Sequence, residues 1–276
     1  PLVQKPARYI GGELNSVIKN KDEVDIRFAF CFPDSYEIGM SHLGMKILYS
    51  AANAREDTWC ERVFAPWHDM EKEMRERNIP LYALESGDPL SEFDLIGFTL
   101  QYELSFTNVL NMLDLAGIPV RSKDRTDLTP IIVGGGPCVF NSEPVADFFD
   151  LMNIGEGEEV LLEICHLYNE MKDKGTYTRS AFLRAASHIE GVYIPSLYDV
   201  SYNEDGTIKR IPDSLTTAYR TAAGRIVRDG GGIMPDIESK AEQLPNLLYY
   251  LANDEVLIDF STEYTRQHAQ IVPVEQ

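Results

Sequence analysis

Residues 93–113, FDLIGFTLQYELSFTNVLNML, and residues 129–160, TPIIVGGGPCVFNSEPVADFFDLMNIGEGEEV, decide the fold. Asp94–Leu100 and Pro130–Val133 are apolar β-type runs, each emptying into a polar or glycine-rich turn. A third short run, Leu151–Ile154, ends in Gly155-Glu156-Gly157-Glu158-Glu159 and opens a helix. Strand, turn and helix in repetition predict a parallel α/β sheet. Such sheets bind ligands at the C-terminal ends of their strands, where Gly134-Gly135-Gly136-Pro137 and Gly155-Glu156 fall.

Outward from this centre, Val24–Phe32 alternates and then turns continuously apolar, as a buried first strand does. Residues 1–23 form an arm before it. A helix is predicted over about 43–54, with Leu43, Ile47, Leu48 and Ala51 on one face. Arg62–Ala65 and Leu81–Leu84 read as short strands, with an amphipathic helix over 67–77 between them. A helix near 105–116 stops at Gly117. Helices over about 158–172 and 178–187 follow, and 191–195 is extended. Tyr198–Tyr202 and Thr207–Ile211 flank Asn203-Glu204-Asp205-Gly206, a hairpin signal. Thr216–Thr221 and Arg225–Arg228 suggest a second hairpin, and two helices are expected over 244–251 and 256–268. The expected architecture is a doubly wound, parallel, Rossmann-type α/β domain over residues 24–202, with a small α+β tail over 203–276.

The net charge is −19 over 276 residues, which argues against a nucleic-acid surface built from clustered Lys and Arg. No apolar run reaches the length of a membrane span, and residues 1–16 lack the apolar core of a signal peptide, so a cytoplasmic protein is expected. Cys31, Cys60, Cys138 and Cys165 lie far apart, without CxxC or CxxxCxxC spacing. That pattern favours neither a disulfide scaffold nor a local zinc or iron–sulfur site.

The glycines at 134–136 let a backbone approach a flat or phosphorylated ligand, or simply make a tight turn. No GxGxxG spacing marks a dinucleotide. Carboxylates in the Gly155–Glu159 turn complement a helix dipole and would repel phosphate; receiving a ribose or amide edge is their functional alternative. His42, just beyond the first strand, is a candidate imidazole ligand or a loop histidine bonded to backbone. Asp34 either caps that loop or orients His42. Tyr36, Tyr102 and Phe106 lie near the same edge. No Ser/His/Asp combination stands out.

Six blocks carry a resemblance: PARYIGGELNS, FPDSYEIGMSHLGMKILY, ERVFAPWHDME, FDLIGFTLQYELSFTNVLNMLDLAGIP, GGGPCVFNSEPVADFFD and IGEGEE. In this order they resemble the N-terminal region of an uncharacterised family of cobalamin-binding-type radical SAM proteins, over about residues 5–205. The resemblance implies a flavodoxin-like domain with a corrinoid across its strand ends. The cofactor would be held by the Asp34–His42 loop, by Thr99, Gln101 and Tyr102, by Gly134, Gly135, Gly136 and Pro137, and by Gly155 and Glu156. The carrier fingerprint DxHxxG is not met. Gly44 follows His42 one residue too early and Met40 stands where Asp is expected, so a cobalt without a protein imidazole is implied. The family's 4Fe–4S cluster and S-adenosylmethionine would sit in a following barrel, the implied partner domain, whose cysteine loop this chain lacks. Residues 203–268, chiefly GRIVRDGGGIMPDIE, resemble the C-terminal part of tail-specific serine peptidases without their Ser/Lys core, which suggests a chimeric coding sequence. A ligand-free interaction domain and a peptidase fragment are the alternative functions.

Overall fold

The structure, a computed structural model, describes residues 2–204, 217–220, 226–228, 264 and 266. The chain divides into two units, residues 1–199 and 200–276.

In the first unit, six strands form one sheet in the order β2-β1-β3-β4-β5-β6. They are β1 (Ile26–Phe32), β2 (Thr58–Phe64), β3 (Leu95–Thr99), β4 (Ile131–Gly135), β5 (Leu151–Asn153) and β6 (Val192–Tyr193). All neighbours run parallel except β5 and β6, which are antiparallel. The helices are α1 (Tyr36–Gly39), α2 (Leu43–Asn53), α3 (His68–Arg77), α4 (Phe106–Leu115), α5 (Gly157–Asp173) and α6 (Arg179–Ala186). The result is an α/β, flavodoxin-like sheet, with a short antiparallel edge strand added to the expected parallel set.

Alternation along the strands builds two cores. Ile26, Phe28, Phe30 and Phe32 of β1 face α2, α5 and α6, while Ala29 and Cys31 face α3 and α4. Fully burying each phenylalanine contributes roughly 1.5–3 kcal/mol, so β1, buried at every position, anchors the sheet. Gly117, at φ 68°, ends α4 as expected.

Three expectations change. The strand expected at 62–65 spans Thr58–Phe64 and pairs with β1 over seven positions. Its Glu61 and Arg62 broke the apolar pattern, yet both are buried because Arg27 and Glu85 pair with them. Leu81–Leu84 forms no strand. It makes one bridge, Tyr82 to Pro89, and its N–H groups bond instead to scattered carbonyls of Leu115, Asp88 and Arg62. Residues 191–195 contribute only the two-residue β6. In the second unit, β7 (Ala218–Arg220) and β8 (Ile226–Arg228) pair antiparallel, as the hairpin expected around Gly224 requires. Of the hairpin expected around 203–206, the first arm, Tyr198–Tyr202, forms no strand and the second lies outside the described residues, as do the helices expected at 244–251 and 256–268 apart from residues 264 and 266.

Candidate functional site

The strand order reverses between β1 and β3, and loops leave that point in opposite directions. A crevice forms there by construction. In this chain it is a cleft of about 210 Å³ on the face covered by α2 and α5. Its apolar walls include Phe28 and Phe30 of β1, Leu48 of α2, and Leu161 and Ile164 of α5. Seven glycines line it: Gly44, Gly97, Gly134, Gly135, Gly136, Gly155 and Gly157.

The three consecutive glycines are there for three different reasons. At Gly134 a Cβ would press on the Phe149 ring at 3.1 Å and on Met152 at 3.3 Å. At Gly136, φ is +98° and a Cβ would sit 2.8 Å from the Leu100 carbonyl oxygen. At Gly135 a Cβ would meet nothing within 4 Å. The turn itself is held to β3: Leu100 N–H donates to the Gly135 oxygen at 2.7 Å, and Cys138 N–H donates to the Leu100 oxygen at 3.1 Å.

His42, Thr99, Gln101, Gly155 and Glu156 all line the same cleft. His42 is the N-cap of α2, its Nδ1 accepting from the Met45 N–H at 3.1 Å. Its ring lies against Phe32, centroids 5.2 Å apart. Because Nδ1 is an acceptor, the neutral ring carries its proton on Nε2. Gln101 Nε2 donates to Thr99 Oγ1 at 2.5 Å. Glu156 occupies the N-cap position of α5 without a side-chain cap bond, and Glu158 joins it at the cleft, both favourably placed at a helix N-terminus.

Asp34, Tyr102 and Pro137 are not among the cleft's lining residues. Asp34 accepts from the Tyr102 hydroxyl at 2.8 Å and from the Ser35 N–H at 2.6 Å. Of the two roles open to it, the structure places it in the loop-capping one, pinning the β1 loop to the β3 loop. Pro137 opens a 3-10 turn. Sequence reasoning missed Gly44, Gly97, Asn153 and Gly157. Gly97 carried a readable signal, a glycine inside a strand: the Phe28 ring occupies its side-chain space, 2.6 Å from a built Cβ. Asn153 was hidden in an apolar run; it is buried, and its Nδ2 donates to the Glu156 carbonyl at 3.1 Å.

The described residues do not fit an iron–sulfur cluster. Cys31 packs on one face of the sheet, Cys60 and Cys165 on the other. Burial pushes the Cys165 thiol up to about 12 and raises Cys31 and Cys60 well above the ordinary thiol range. No group of three or more His, Cys, Asp or Glu among the described residues could hold a metal ion. No helix among the described residues is long and apolar enough to cross a membrane.

Comparison with known proteins bears on the same segment. An uncharacterized protein of Methanocaldococcus jannaschii, MJ0966, is 27% identical over 154 residues, which cover 55% of this chain and 28% of that protein. The chain thus spans less than a third of that relative's length. The family model described as radical SAM proteins, N-terminal, matches residues 44–195, more than half of the chain and all of the sheet beyond β1. The chain belongs to that family, the N-terminal region of radical SAM proteins.

Proposed function

We propose that this chain is the corrinoid-binding module of a radical SAM enzyme, holding its cofactor at the C-terminal edge of the sheet for a catalytic barrel carried by longer proteins. Gly135 is the observation that carries the reading. Neither a positive φ nor a crowded neighbour demands glycine there, and a Cβ would project into free space at the cleft. The absent side chain leaves backbone bare for a flat group to lie on. Apolar walls with a few convergent polar groups are the ordinary make-up of a cofactor site.

A corrinoid held there would supply a cobalt centre able to carry a methyl group or an electron. The chain's own residues hold and orient it. Gly134–Gly136 and Gly155 offer backbone, while Thr99, Gln101 and Glu156 offer polar contacts. Asp34 and Tyr102 keep the two flanking loops together. His42 is better suited to donate from Nε2 than to ligate cobalt: ligation through Nε2 would move its proton to Nδ1, against the Met45 N–H that Nδ1 now accepts.

A partner over this edge is supported by apolar side chains on the connections leaving β1, β3 and β4. Leu43, Leu104 and Phe140 are 70%, 82% and 75% exposed. Exposed apolar side chains gathered at one edge mark an interaction surface, and the radical SAM barrel, with its own cluster and S-adenosylmethionine, is the occupant this reading assigns. The family match ends at residue 195 and the second unit begins at residue 200. Both support reading residues 203–276 as a separately derived segment, a point that sequencing the reading frame across residues 203–212 tests.

The cofactor reading is tested by mixing the purified chain with hydroxocobalamin and passing it through gel filtration. The corrinoid visible spectrum should travel with the protein. No retention at micromolar concentrations overturns the proposal in favour of a ligand-free interaction domain.

A further inference from the structure

The chain reads His42-Leu43-Gly44 where the DxHxxG fingerprint sets histidine and glycine one residue further apart. The structure gives that early glycine a use. A Cβ at Gly44 would lie 3.1 Å from His42 Cε1 and 3.5 Å from Nδ1, so a side chain there would press on the imidazole. The Phe32 ring also lies against the imidazole, centroids 5.2 Å apart and planes tilted by 51°. The third constraint is the helix cap, in which Nδ1 accepts from the Met45 N–H at 3.1 Å. An acceptor at Nδ1 leaves the proton of the neutral ring on Nε2. Nε2 has no hydrogen-bond partner among the described residues, and it is not sealed from solvent. His42 and Gly44 both line the cleft. Ring position and tautomer are thus set before a ligand arrives, which lowers the ordering cost of a contact to it.

We infer that His42 is a fixed N–H donor to an oxygen of the ligand, and that Gly44 is the positioning residue that makes room for its ring. The inference rests on the corrinoid reading. The other titratable groups among the described residues that line the cleft are Glu156 and Glu158, and no Lys or Arg joins them. A neutral oxygen therefore suits the site better than an anionic one. The carbonyls of the amide side chains around the corrin ring are such oxygens; the phosphodiester of the nucleotide tail is not.

The test uses the full chain with hydroxocobalamin and with dicyanocobinamide, which keeps the ring amides but lacks the nucleotide tail. In visible titrations His42→Asn should bind both probes about three- to tenfold more weakly. Asparagine sets its Oδ1 where Nδ1 stood, two bonds from Cβ, and so keeps the cap, but it puts nothing at the place of Nε2. His42→Gln does the reverse. Its amide N–H reaches that place and should restore both affinities to within about twofold, although the cap is lost. Stability should follow the cap and affinity the donor. Gly44→Ala should weaken both probes as His42→Asn does without lowering the thermal midpoint, since alanine is the better helix former. In a His42→Ala background it should add nothing. Unchanged affinities in His42→Asn, failure of His42→Gln to restore them, or a Gly44→Ala effect that persists without His42 would each overturn the inference. Weakening of hydroxocobalamin alone would also overturn it, by moving the contact to the phosphodiester. Binding of neither probe by the unaltered chain would overturn the corrinoid reading and the inference with it, which separates the two failures.

Discussion

At the N-terminal ends of the strands, polar groups are bonded to one another. Asp150, just before β5, receives Arg179 at 2.5 Å, Arg125 at 3.0 Å and the Ile132 N–H at 2.7 Å. Asp94, just before β3, receives the Arg27 N–H and the Tyr168 hydroxyl, each at 2.9 Å. Arg27 itself lies 4.3 Å from the Phe93 ring centroid and pairs with Glu61 and Asp88. At the C-terminal ends β4 runs out in Gly134-Gly135-Gly136 and β5 is followed by Gly155, and these glycines line the cleft. One edge is closed by ion pairs, although the Nε atoms of Arg27 and Arg179 are buried there without a partner, and the other opens as a glycine-lined cleft. Buried ion pairs and the glycine-lined cleft thus lie at opposite ends of one sheet.

The largest effect should come from breaking the closed edge. Asp150→Ala leaves two buried guanidiniums without their shared carboxylate and should cost about 3–5 kcal/mol of stability, read as a lowered urea midpoint with unchanged slope. A loss below 1 kcal/mol would mean that the backbone carbonyls around Arg125 and Arg179 suffice alone. Gly135→Val attacks the open edge. Two methyls and a Cβ would enter the cleft, so corrinoid retention on gel filtration should vanish, while stability should shift by no more than about 1 kcal/mol. Retention by this variant would remove Gly135 from the proposed cradle.

His42→Ala should matter less. Corrinoid affinity should stay within about tenfold, or roughly 1.4 kcal/mol, and the lost N-cap should cost on the order of 1 kcal/mol. The spectrum of the bound corrinoid should not change. Nitrogen superhyperfine coupling in the cob(II)alamin EPR that disappears on this substitution would establish His42 as a cobalt ligand instead. The smallest effect concerns the arm. Arg8 bonded to Glu37, with Lys5 assisting, holds that exposed carboxyl down at about 2. A depressed carboxylate contributes stability above its unfolded pKa and loses that contribution as pH falls through the folded value. Glu37→Gln should therefore flatten the stability profile between about pH 4.5 and pH 2, and added salt should mimic it. Identical profiles would show that the pair does not tie the arm down.

Much of this contrast was legible in residues 93–160. Apolar runs ending in glycine identify strands and their C-terminal turns without any knowledge of partners, and His42, Thr99, Gln101, Gly134–Gly136, Gly155 and Glu156 do converge on one cleft. Glu61 and Arg62 concealed the length of β2, because their partners Arg27 and Glu85 lie 34 and 23 residues away. Leu81–Leu84 misled in the other direction: it has strand-like residues, but only Leu84 bonds the edge strand β2, and the N–H groups of Leu81 and Ala83 go to Leu115 and Asp88. Asp34 and Tyr102 were correctly placed at the strand ends, yet they bond to each other rather than line the cleft.

The sequence by itself determined that alternating and continuous apolar runs would make a two-faced sheet under helices, with glycine at its C-terminal turns. Periodicity and turn chemistry act over a few residues and need no distant partner. Only the tertiary structure decided what each glycine is for, which way β6 runs, which charges are neutralised, and that the oxygen of Asn153 is left without a donor. These depend on the register between strands far apart in the chain. Gly134 faces Phe149, Gly97 faces Phe28 and Gly135 faces open space only because β1, β3, β4 and β5 align as they do.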